Sequence, residues 1–466
     1  MNTKGKLGLG ILISLVIGNM VGSGIFMLPR SLAEVASPAG VILAWLLTGF
    51  GVLVTALVFG NLAIRKPKLT GGPQIYAKEL FKRGSKKSTL SGFMSTWGYW
   101  IGNLAGNVAI ITTFAGYLST FFPILTSEAA LFHVGSFTLY VGNALTFLVC
   151  TILLWGTHWI ILNGLENAGK LNILATSAKV IGFMLFIIIA LFAFETSNIL
   201  PFAEPKVNAA GHSVDLFGQI NSAAITTLWA FIGVESAVVF ASRAKKQSDV
   251  KKATIIGLLI ALAIYIGIST LVMGILSQNE LIASQKPLID AIEAVLGPIA
   301  GKILAAIGLI SLFGSTIGWI MLSAEVPYAA AKQGIFIPAF LKENKKGIPT
   351  FSLVVTNILG QLFIFSTVSR SISQAFDFII YIATLSYLVP YLISSIFQLK
   401  LVISGETYTS MKSRRVDFAI GIIATIYSIW VIIAGTADIK TFSFGVLLLL
   451  SGILFYNQLN KGSKPE

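Results

Sequence analysis

Charged residues are scarce in this chain, at 11% of 466 residues, against roughly 25% in a typical soluble domain. Hydrophobic residues make up 55% of the chain, and the mean hydropathy is +0.84. A water-soluble protein of this size has too few core positions to bury so many apolar side chains. The composition therefore argues against a soluble protein and indicates that a lipid bilayer surrounds much of the surface.

Cysteine is almost absent as well. Cys150 is the single cysteine and lies in an apolar run, which excludes an intrachain disulfide. The sequence contains no Walker-type loop, no filter-like segment of a channel and no clustered His and Cys at metal-ligand spacing. These absences argue against a nucleotide-driven pump, an ion channel and a metal site. Since no nucleophile–base arrangement is visible either, we expect neither an enzyme nor a bound cofactor.

The net charge of +14 is distributed in a way that argues against a nucleic-acid partner. Lys and Arg lie in short loops between apolar stretches, and such clusters report membrane topology. With the N-terminus inside, 26 of the 33 basic residues fall on inner segments and 6 on outer ones, while Lys179 lies within a span. This bias predicts a multi-pass protein of the cell membrane with both termini in the cytoplasm.

Twelve apolar segments are long enough to cross the hydrocarbon core as helices, which takes about 20 residues. They lie at about 7–35, 39–63, 91–121, 137–163, 170–194, 218–242, 253–277, 299–324, 349–368, 373–399, 417–437 and 442–459. The sequence therefore predicts an all-α integral membrane protein that forms one transporter domain over residues 1–466, with the lipid bilayer as its partner.

An internal repeat is visible in the spacing of these segments. An offset of roughly 210 residues relates spans 1–5 to spans 6–10. Because five is an odd number, the two halves enter the membrane in opposite directions, and such inverted repeats are typical of secondary transporters. We predict a first repeat at about 7–194, a second at about 218–399, and accessory helices at about 417–459.

Spans 1 and 6 each contain a stretch that weakens a helix near mid-membrane. The two stretches are residues 18–26 (GNMVGSGIF) and residues 229–236 (WAFIGVES). Glycine disfavours the helix, and an unwound helix offers free N–H groups to a carboxylate and free carbonyls to an ammonium. Close helix packing through small residues is the alternative for one such cluster. Two breaks at matching repeat positions favour a substrate site instead.

Two ionisable side chains lie within spans. An ionised acid at the position of Glu235 costs about 2.5–3.5 kcal/mol on insertion scales, so it should have a function or a partner. It either gains and loses protons or stays protonated and hydrogen-bonded to a neighbouring span. Lys179 near the centre of span 5 either replaces a coupling sodium ion or holds helix positions by pairing with an acid or with carbonyls.

Three further side chains are candidates for contact with a ligand. Trp229 and Trp319 can each offer an aromatic face to a cation, although tryptophan in a membrane helix also serves for packing. Asn103 is a buried amide, and either another helix or a ligand must satisfy its hydrogen bonds.

Several motifs together resemble a known family. They are residues 22–26 (GSGIF) with 28–29 (LP), 61–63 (NLA) with 65–67 (RKP), 97–100 (WGYW), 229–236, 241–244 (ASRA) with 248–250 (SDV), and 405–408 (GETY). The whole chain resembles the amino acid–polyamine–organocation superfamily, in its basic amino acid/polyamine antiporter branch, and is most similar to arginine/ornithine antiporters. The resemblance implies a leucine-transporter-type fold, with a 5+5 inverted repeat, two extra helices, and spans 1 and 6 unwound.

The resemblance also implies where a substrate binds. The substrate carboxylate is expected on the amides around Ser23 and Gly24. The α-ammonium is expected at the carbonyls of Met20, Trp229 and Ile232.

Further roles follow from the same resemblance. Trp319 is expected to stack on the side-chain cation, with Asn103 nearby. Glu235 matches an acid linked to pH response and coupling, and Lys179 resembles the span-5 lysine of proton-coupled relatives. Tyr391, which follows Pro390, resembles an inner-side gating tyrosine.

The predicted function is the exchange of arginine for ornithine by alternating access in a bacterial cell membrane. A proton-coupled lysine/arginine permease and an amino acid/polyamine exchanger are the near alternatives. A non-transporting amino acid sensor is the alternative from a different class, and the absence of an appended signalling domain argues against it. Homodimerisation is left open.

Overall fold

The computed structural model describes residues 8–459, apart from 68, 70, 71, 83, 136, 164, 208–210 and 240–243. The side chains of residues 11, 14, 15, 165–174, 176, 177, 239 and 437 are outside this description as well. The described residues therefore exclude most of the 241–244 motif and the predicted end of span 6. They also exclude residues 1–7 and 460–466.

Helices make up most of the described chain. In chain order they are α1 (Leu9–Met20), α2 (Gly24–Val35), α3 (Pro38–Arg65), α4 (Tyr76–Glu79), α5 (Lys86–Leu118), α6 (Val141–Asn163), α7 (Leu165–Phe192), α8 (Leu216–Ala230), α9 (Ser236–Val239), α10 (Gln247–Ile275), α11 (Gln278–Ala283), α12 (Pro287–Leu296), α13 (Pro298–Lys332), α14 (Thr350–Ile364), α15 (Ser366–Ser369), α16 (Ile372–Ser404), α17 (Met411–Ala434) and α18 (Ile439–Tyr456). Among the described residues, nine helical segments are long and apolar enough to cross a membrane. They are α3, α5, α6, α10, α13, α14 with α15, α16, α17 and α18.

Two small antiparallel sheets correct the expectation of an all-α chain. Strand β1 (Ala130–Val134) pairs with β2 (Phe137–Tyr140), and β3 (Lys206–Val207) pairs with β4 (Ser213–Val214). The fourth span was predicted to begin at residue 137, but residues 137–140 form strand β2. The helix α6 begins at Val141. Apolar residues of a strand and of a helix look alike in a short run of sequence.

Local sequence explains where the long helices begin and end. The Ser37 side chain accepts the N–H of Gly40 at the start of α3, and Ser371 forms a capping box with Gln374 at the start of α16. These caps supply hydrogen bonds to first-turn groups that have no partner within the helix. At the other end of α16, Gly405 adopts a φ of 72°, the left-handed conformation that terminates many helices.

The helical backbone is interrupted at both stretches rich in glycine or polar residues. Helix α1 ends at Met20 and α2 begins at Gly24, while α8 ends at Ala230 and α9 begins at Ser236. In the second interruption Gly233 has a φ of 105°, which L-residues rarely adopt. A Cβ at Gly233 would lie 3.0 Å from the carbonyl carbon of Asn19. The two breaks therefore lie against each other.

The helices pack around these breaks. Helix α3 runs along α10 and packs on α8, α5 packs between α13 and α16, and α1 lies on α10. Outside this core many large apolar side chains are exposed, including Phe192 at 90% and Leu454 and Ile299 at 77%. Such a surface is stable in lipid and unfavourable in water. The chain is therefore a multi-pass membrane protein.

The motifs at 61–67 and 405–408 meet in a buried polar cluster that also includes α17. Asp417 is 5% exposed and accepts hydrogen bonds from Asn61 Nδ2 at 2.9 Å, Arg65 Nε at 2.8 Å and Tyr408 Oη at 3.0 Å. The Arg65 guanidinium lies 3.6 Å from the centre of the Tyr408 ring. We call Asn61, Arg65, Tyr408 and Asp417 the Asp417 cluster.

Candidate functional site

A small cavity lies where the two helix breaks meet. Its lining includes six of the residues that the sequence predicted for substrate binding. They are Met20, Ser23, Gly24, Trp229, Ile232 and Trp319, and the remaining lining residues are Asn19, Gly22, Ile110 and Ala230. We call this space the first cavity.

One wall of the first cavity is the N-terminal end of α2. The first N–H groups of a helix have no partner within it, and they carry the positive end of the helix dipole. Gly24 brings this backbone close to an aromatic ring, since a Cβ there would lie 3.4 Å from Trp229 Nε1 and 3.2 Å from Leu28 Cδ1. This wall is suited to an anion that approaches the backbone itself.

The opposite wall is formed by carbonyl groups at the ends of α1 and α8. Tyr265 of α10 reaches both ends, with its hydroxyl 2.7 Å from the Met20 carbonyl oxygen and 2.6 Å from that of Ala230. The Met20 carbonyl also accepts the N–H of Gly22 at 2.7 Å. Because the Tyr265 hydroxyl has a single proton, it donates to only one of the two carbonyls at a time. Sequence reasoning missed Tyr265, whose only signal was a phenol in the middle of a predicted span.

Two tryptophan rings border the first cavity. The rings of Trp229 and Trp319 lie 6.5 Å apart between centroids and are tilted by 37°. Gly106 of α5 makes room for both, because a Cβ there would lie 3.0 Å from Trp229 Cη2 and 3.2 Å from Trp319 Cζ3. A larger residue at position 106 would push the rings into the cavity.

A second small cavity lies beside the first. Asn19 and Trp319 line both. The other residues lining this second cavity are Tyr99, Gly233, Glu235, Ser236, Leu322 and Tyr387.

Glu235 is 3% exposed and receives three hydrogen bonds. Tyr99 of α5 donates at 2.9 Å, Tyr391 of α16 donates at 2.6 Å, and the N–H of Gly233 donates at 3.1 Å. Each donor is neutral, and the described residues include no ion pair to Glu235. The acid is thus satisfied by hydrogen bonds to two neighbouring helices and its own break, and no cation of the described residues pairs with it.

Lys179 and Asn19 connect the breaks to each other and to α7. Lys179 is 8% exposed, and its Nζ lies 3.4 Å from the carbonyl oxygen of Gly18 near the end of α1. Asn19 Nδ2 donates to Ser236 Oγ at 2.7 Å. The lysine therefore contacts the broken span directly, through one of the carbonyls that unwinding frees.

Asn103 and Tyr391 line neither cavity. Asn103 Nδ2 donates to the carbonyl of Tyr99 at 2.7 Å, a contact within its own helix that is common for asparagine. Within the described part of the chain, Asn103 Oδ1 has no hydrogen-bond partner. Tyr391 reaches the site through Glu235, and its ring packs edge-on against Phe59 at 5.1 Å.

Comparison with known proteins places this geometry in a family. A family profile of amino acid permeases matches residues 7–456. The chain is 51% identical over 452 residues to a Bacillus subtilis protein named "Putative arginine/ornithine antiporter", covering 97% of this chain and 96% of the relative. It is 36% identical over 474 residues to the arginine/ornithine antiporter of Pseudomonas aeruginosa, covering 99% and 92%.

A further relative lies at a similar distance. The chain is 32% identical over 459 residues to the arginine/ornithine antiporter of Latilactobacillus sakei, covering 98% of this chain and 91% of that protein. The family profile and these relatives extend over nearly the whole chain, so the match includes both helix breaks and the helices around them. The chain belongs to the amino acid permease family and is a transporter rather than an enzyme.

Proposed function

We propose that this permease exchanges arginine for ornithine across a bacterial cell membrane by alternating access. One observation carries the proposal: two helix breaks form a cavity of backbone groups that borders a second cavity with a buried carboxylate. An α-amino acid needs partners for both of its α-groups, and a cationic side chain favours a negative group. Relatives named for arginine/ornithine antiport support this substrate pair.

The substrate carboxylate binds to the N–H groups around Ser23 and Gly24 in this proposal, because a helix N-terminus favours an anion. The α-ammonium binds to carbonyls of the opposite wall. The carbonyls of Met20 and Trp229 already accept backbone N–H groups, from Gly22 and from Ile232, so the Ile232 carbonyl is the best candidate of the three. Trp319 stacks on the side chain of the substrate.

Glu235 and Lys179 are the proposed groups for coupling and pH response. Glu235 joins α5, α16 and the second break through its hydrogen bonds. A change in its charge therefore alters how these three elements are held together. Tyr391 acts as an inner gate through its bond to that acid. Lys179 holds a carbonyl of α1 and can transmit a change of charge to the first break.

We infer a single transporter domain of twelve spans with a 5+5 inverted repeat. The support is that α7, with 28 residues, and the broken pairs α1–α2 and α8–α9 add three spans to the nine found by length and composition. Each half begins with a broken pair that is followed by four long helices. These are α3, α5, α6 and α7 in the first half and α10, α13, α14 and α16 in the second, and α17 and α18 follow both halves. The distribution of Lys and Arg supports cytoplasmic termini.

Counterflow into proteoliposomes tests the proposed function. We expect labelled arginine to enter vesicles rapidly when ornithine is inside, and slowly when the vesicles contain only buffer. Lysine, agmatine and putrescine inside the vesicles measure the range of counter-substrates. Glu128→Gln, at an exposed site outside the helices, should exchange like the wild type.

The alternatives give different results in the same vesicles. Accumulation driven by a pH gradient without internal amino acid would indicate a proton-coupled permease, the alternative favoured by the contact between Lys179 and α1. Binding of arginine without uptake under either condition would indicate a sensor and contradict the transport proposal.

A further inference from the structure

The linings of the first and second cavities adjoin along the second helix break. Residues up to Ile232 line the first cavity, and Gly233 begins the lining of the second. Consecutive Cα atoms are about 3.8 Å apart, so the two linings touch at this peptide. Trp319 borders both spaces. A ligand whose α-groups bind in the first cavity would reach the second by extending past Trp319.

The chemistry of the two cavities differs. The first is lined by backbone groups and uncharged side chains, whereas Glu235 is the acid that lines the second. Its three hydrogen-bond donors are neutral, so a negative charge on this group has no cation beside it among the described residues. A buried carboxylate without a counter-charge is unfavourable, and a ligand cation would relieve that cost.

The remaining walls suit the stem of a long cationic side chain. Leu322 is apolar, and Trp319 and Tyr387 offer aromatic rings. Tyr387 packs edge-on against Tyr99 at 5.0 Å, which holds both rings beside the acid. Aromatic faces attract ammonium and guanidinium groups, and a carboxylate pairs with the N–H groups of either cation.

We infer that the second cavity is the subsite for the distal cation of a dibasic amino acid, with Glu235 as its direct partner. The inference rests on the proposed function, because it assumes that the α-groups bind in the first cavity. It assigns selection for a charged side chain to Glu235 itself, in addition to stacking on Trp319. Asn103 is not among the residues that line the second cavity.

The test compares arginine with citrulline, whose neutral ureido group has nearly the shape of the guanidinium, in equilibrium binding to the purified protein. We expect the wild type to bind arginine at least tenfold more tightly. Glu235→Gln should weaken arginine about 30-fold, as expected for loss of one partner of a buried charge pair, and change citrulline less than threefold. Glu235→Asp, which keeps the charge, should retain the preference for arginine.

A control separates charge from hydrogen bonding. Tyr391→Phe removes one hydrogen bond to the acid and keeps its charge, so the arginine-to-citrulline ratio should stay near the wild-type value. Equal loss of both ligands in Glu235→Gln would overturn the subsite. So would a wild type with equal affinity for the two, a measurement that needs no variant to fold. If the wild type exchanges arginine for ornithine but Glu235→Gln keeps the wild-type ratio of arginine to citrulline affinity, the subsite is wrong and the proposed function stands. If the wild type shows no exchange, the proposed function itself is contradicted.

Discussion

At the scale of single residues, the candidate site depends on the positions of two side chains, Trp319 and Glu235. Trp319 borders both cavities and is 9% exposed, so its ring lies against whatever passes between them. Glu235 lies beyond that ring, held by Tyr99 and Tyr391. One aromatic ring thus separates the part of the site made of backbone groups from the part that carries an acid.

Replacing Trp319 tests the role of its ring. A cation–π contact in a desolvated pocket contributes about 2 kcal/mol, or about 30-fold in affinity. Trp319→Leu should therefore weaken arginine binding by roughly that factor, and Trp319→Phe should weaken it less, as measured by equilibrium binding. Trp159→Leu, at a site on α6 that is 68% exposed, is the matched control and should have no effect. Equal and small losses in both Trp319 variants would mean that the ring only packs.

At the scale of elements, side chains from neighbouring helices bond to groups at the two breaks, where helical hydrogen bonds are missing. Tyr265 reaches the carbonyl ends of α1 and α8, Asn19 bonds to Ser236, and Lys179 contacts the Gly18 carbonyl. The carbonyls of Met20, Ala230 and Gly18 are groups that a continuous helix would bond internally, whereas the bond from Asn19 to Ser236 joins two side chains. The breaks are therefore held in place by α7 and α10 as well as by each other.

Lys179→Ala tests the link from α7 to the first break. The ammonium contacts a carbonyl of α1 and lines neither cavity, so its loss should leave arginine affinity within about threefold while the exchange rate falls at least tenfold, roughly the effect of one lost charge-assisted hydrogen bond. Binding and initial exchange rates, measured from pH 5 to 8, separate these effects. If Lys179→Ala removed the pH dependence that Glu235→Gln retained, the proton role would belong to the lysine.

At the scale of the whole molecule, buried charges fasten helices far apart in the chain. The Asp417 cluster joins α3 and α17 to the segment after α16. Arg30 of α2 is 6% exposed, pairs with Asp377 of α16, and donates to the carbonyl of Ile282 at 3.2 Å. These contacts hold the ends of the bundle together and lie away from both cavities.

Asp417→Ala should destabilise the fold without changing substrate recognition. Removing the carboxylate leaves Arg65, at 17% side-chain exposure, and the Asn61 amide without their shared acceptor. Loss of one partner of a buried ion pair costs about 3 kcal/mol, so the midpoint of heat denaturation in detergent should fall clearly. Glu128→Ala should leave that midpoint unchanged. A wild-type midpoint for Asp417→Ala would mean that the cluster does not stabilise the helix packing.

Much of this architecture could be read from patterns in the chain. Low charge and long apolar runs predicted a membrane protein because lipid leaves backbone groups no partners outside helices. Glycine and serine at 22–24 predicted an interruption where helix α1 does end. The strand at 137–140 escaped prediction because it runs directly into the apolar residues of α6.

The sequence by itself determined the membrane environment, the helices and the positions of both breaks, since these depend on composition and local backbone preference. Only the tertiary structure decided which groups meet at those breaks. Tyr99 and Tyr391 lie 136 and 156 residues from Glu235, and Tyr265 reaches two helix ends that no local pattern connects to it. Such contacts arise from packing between distant helices, where side-chain direction and helix rotation set the partner of each polar group.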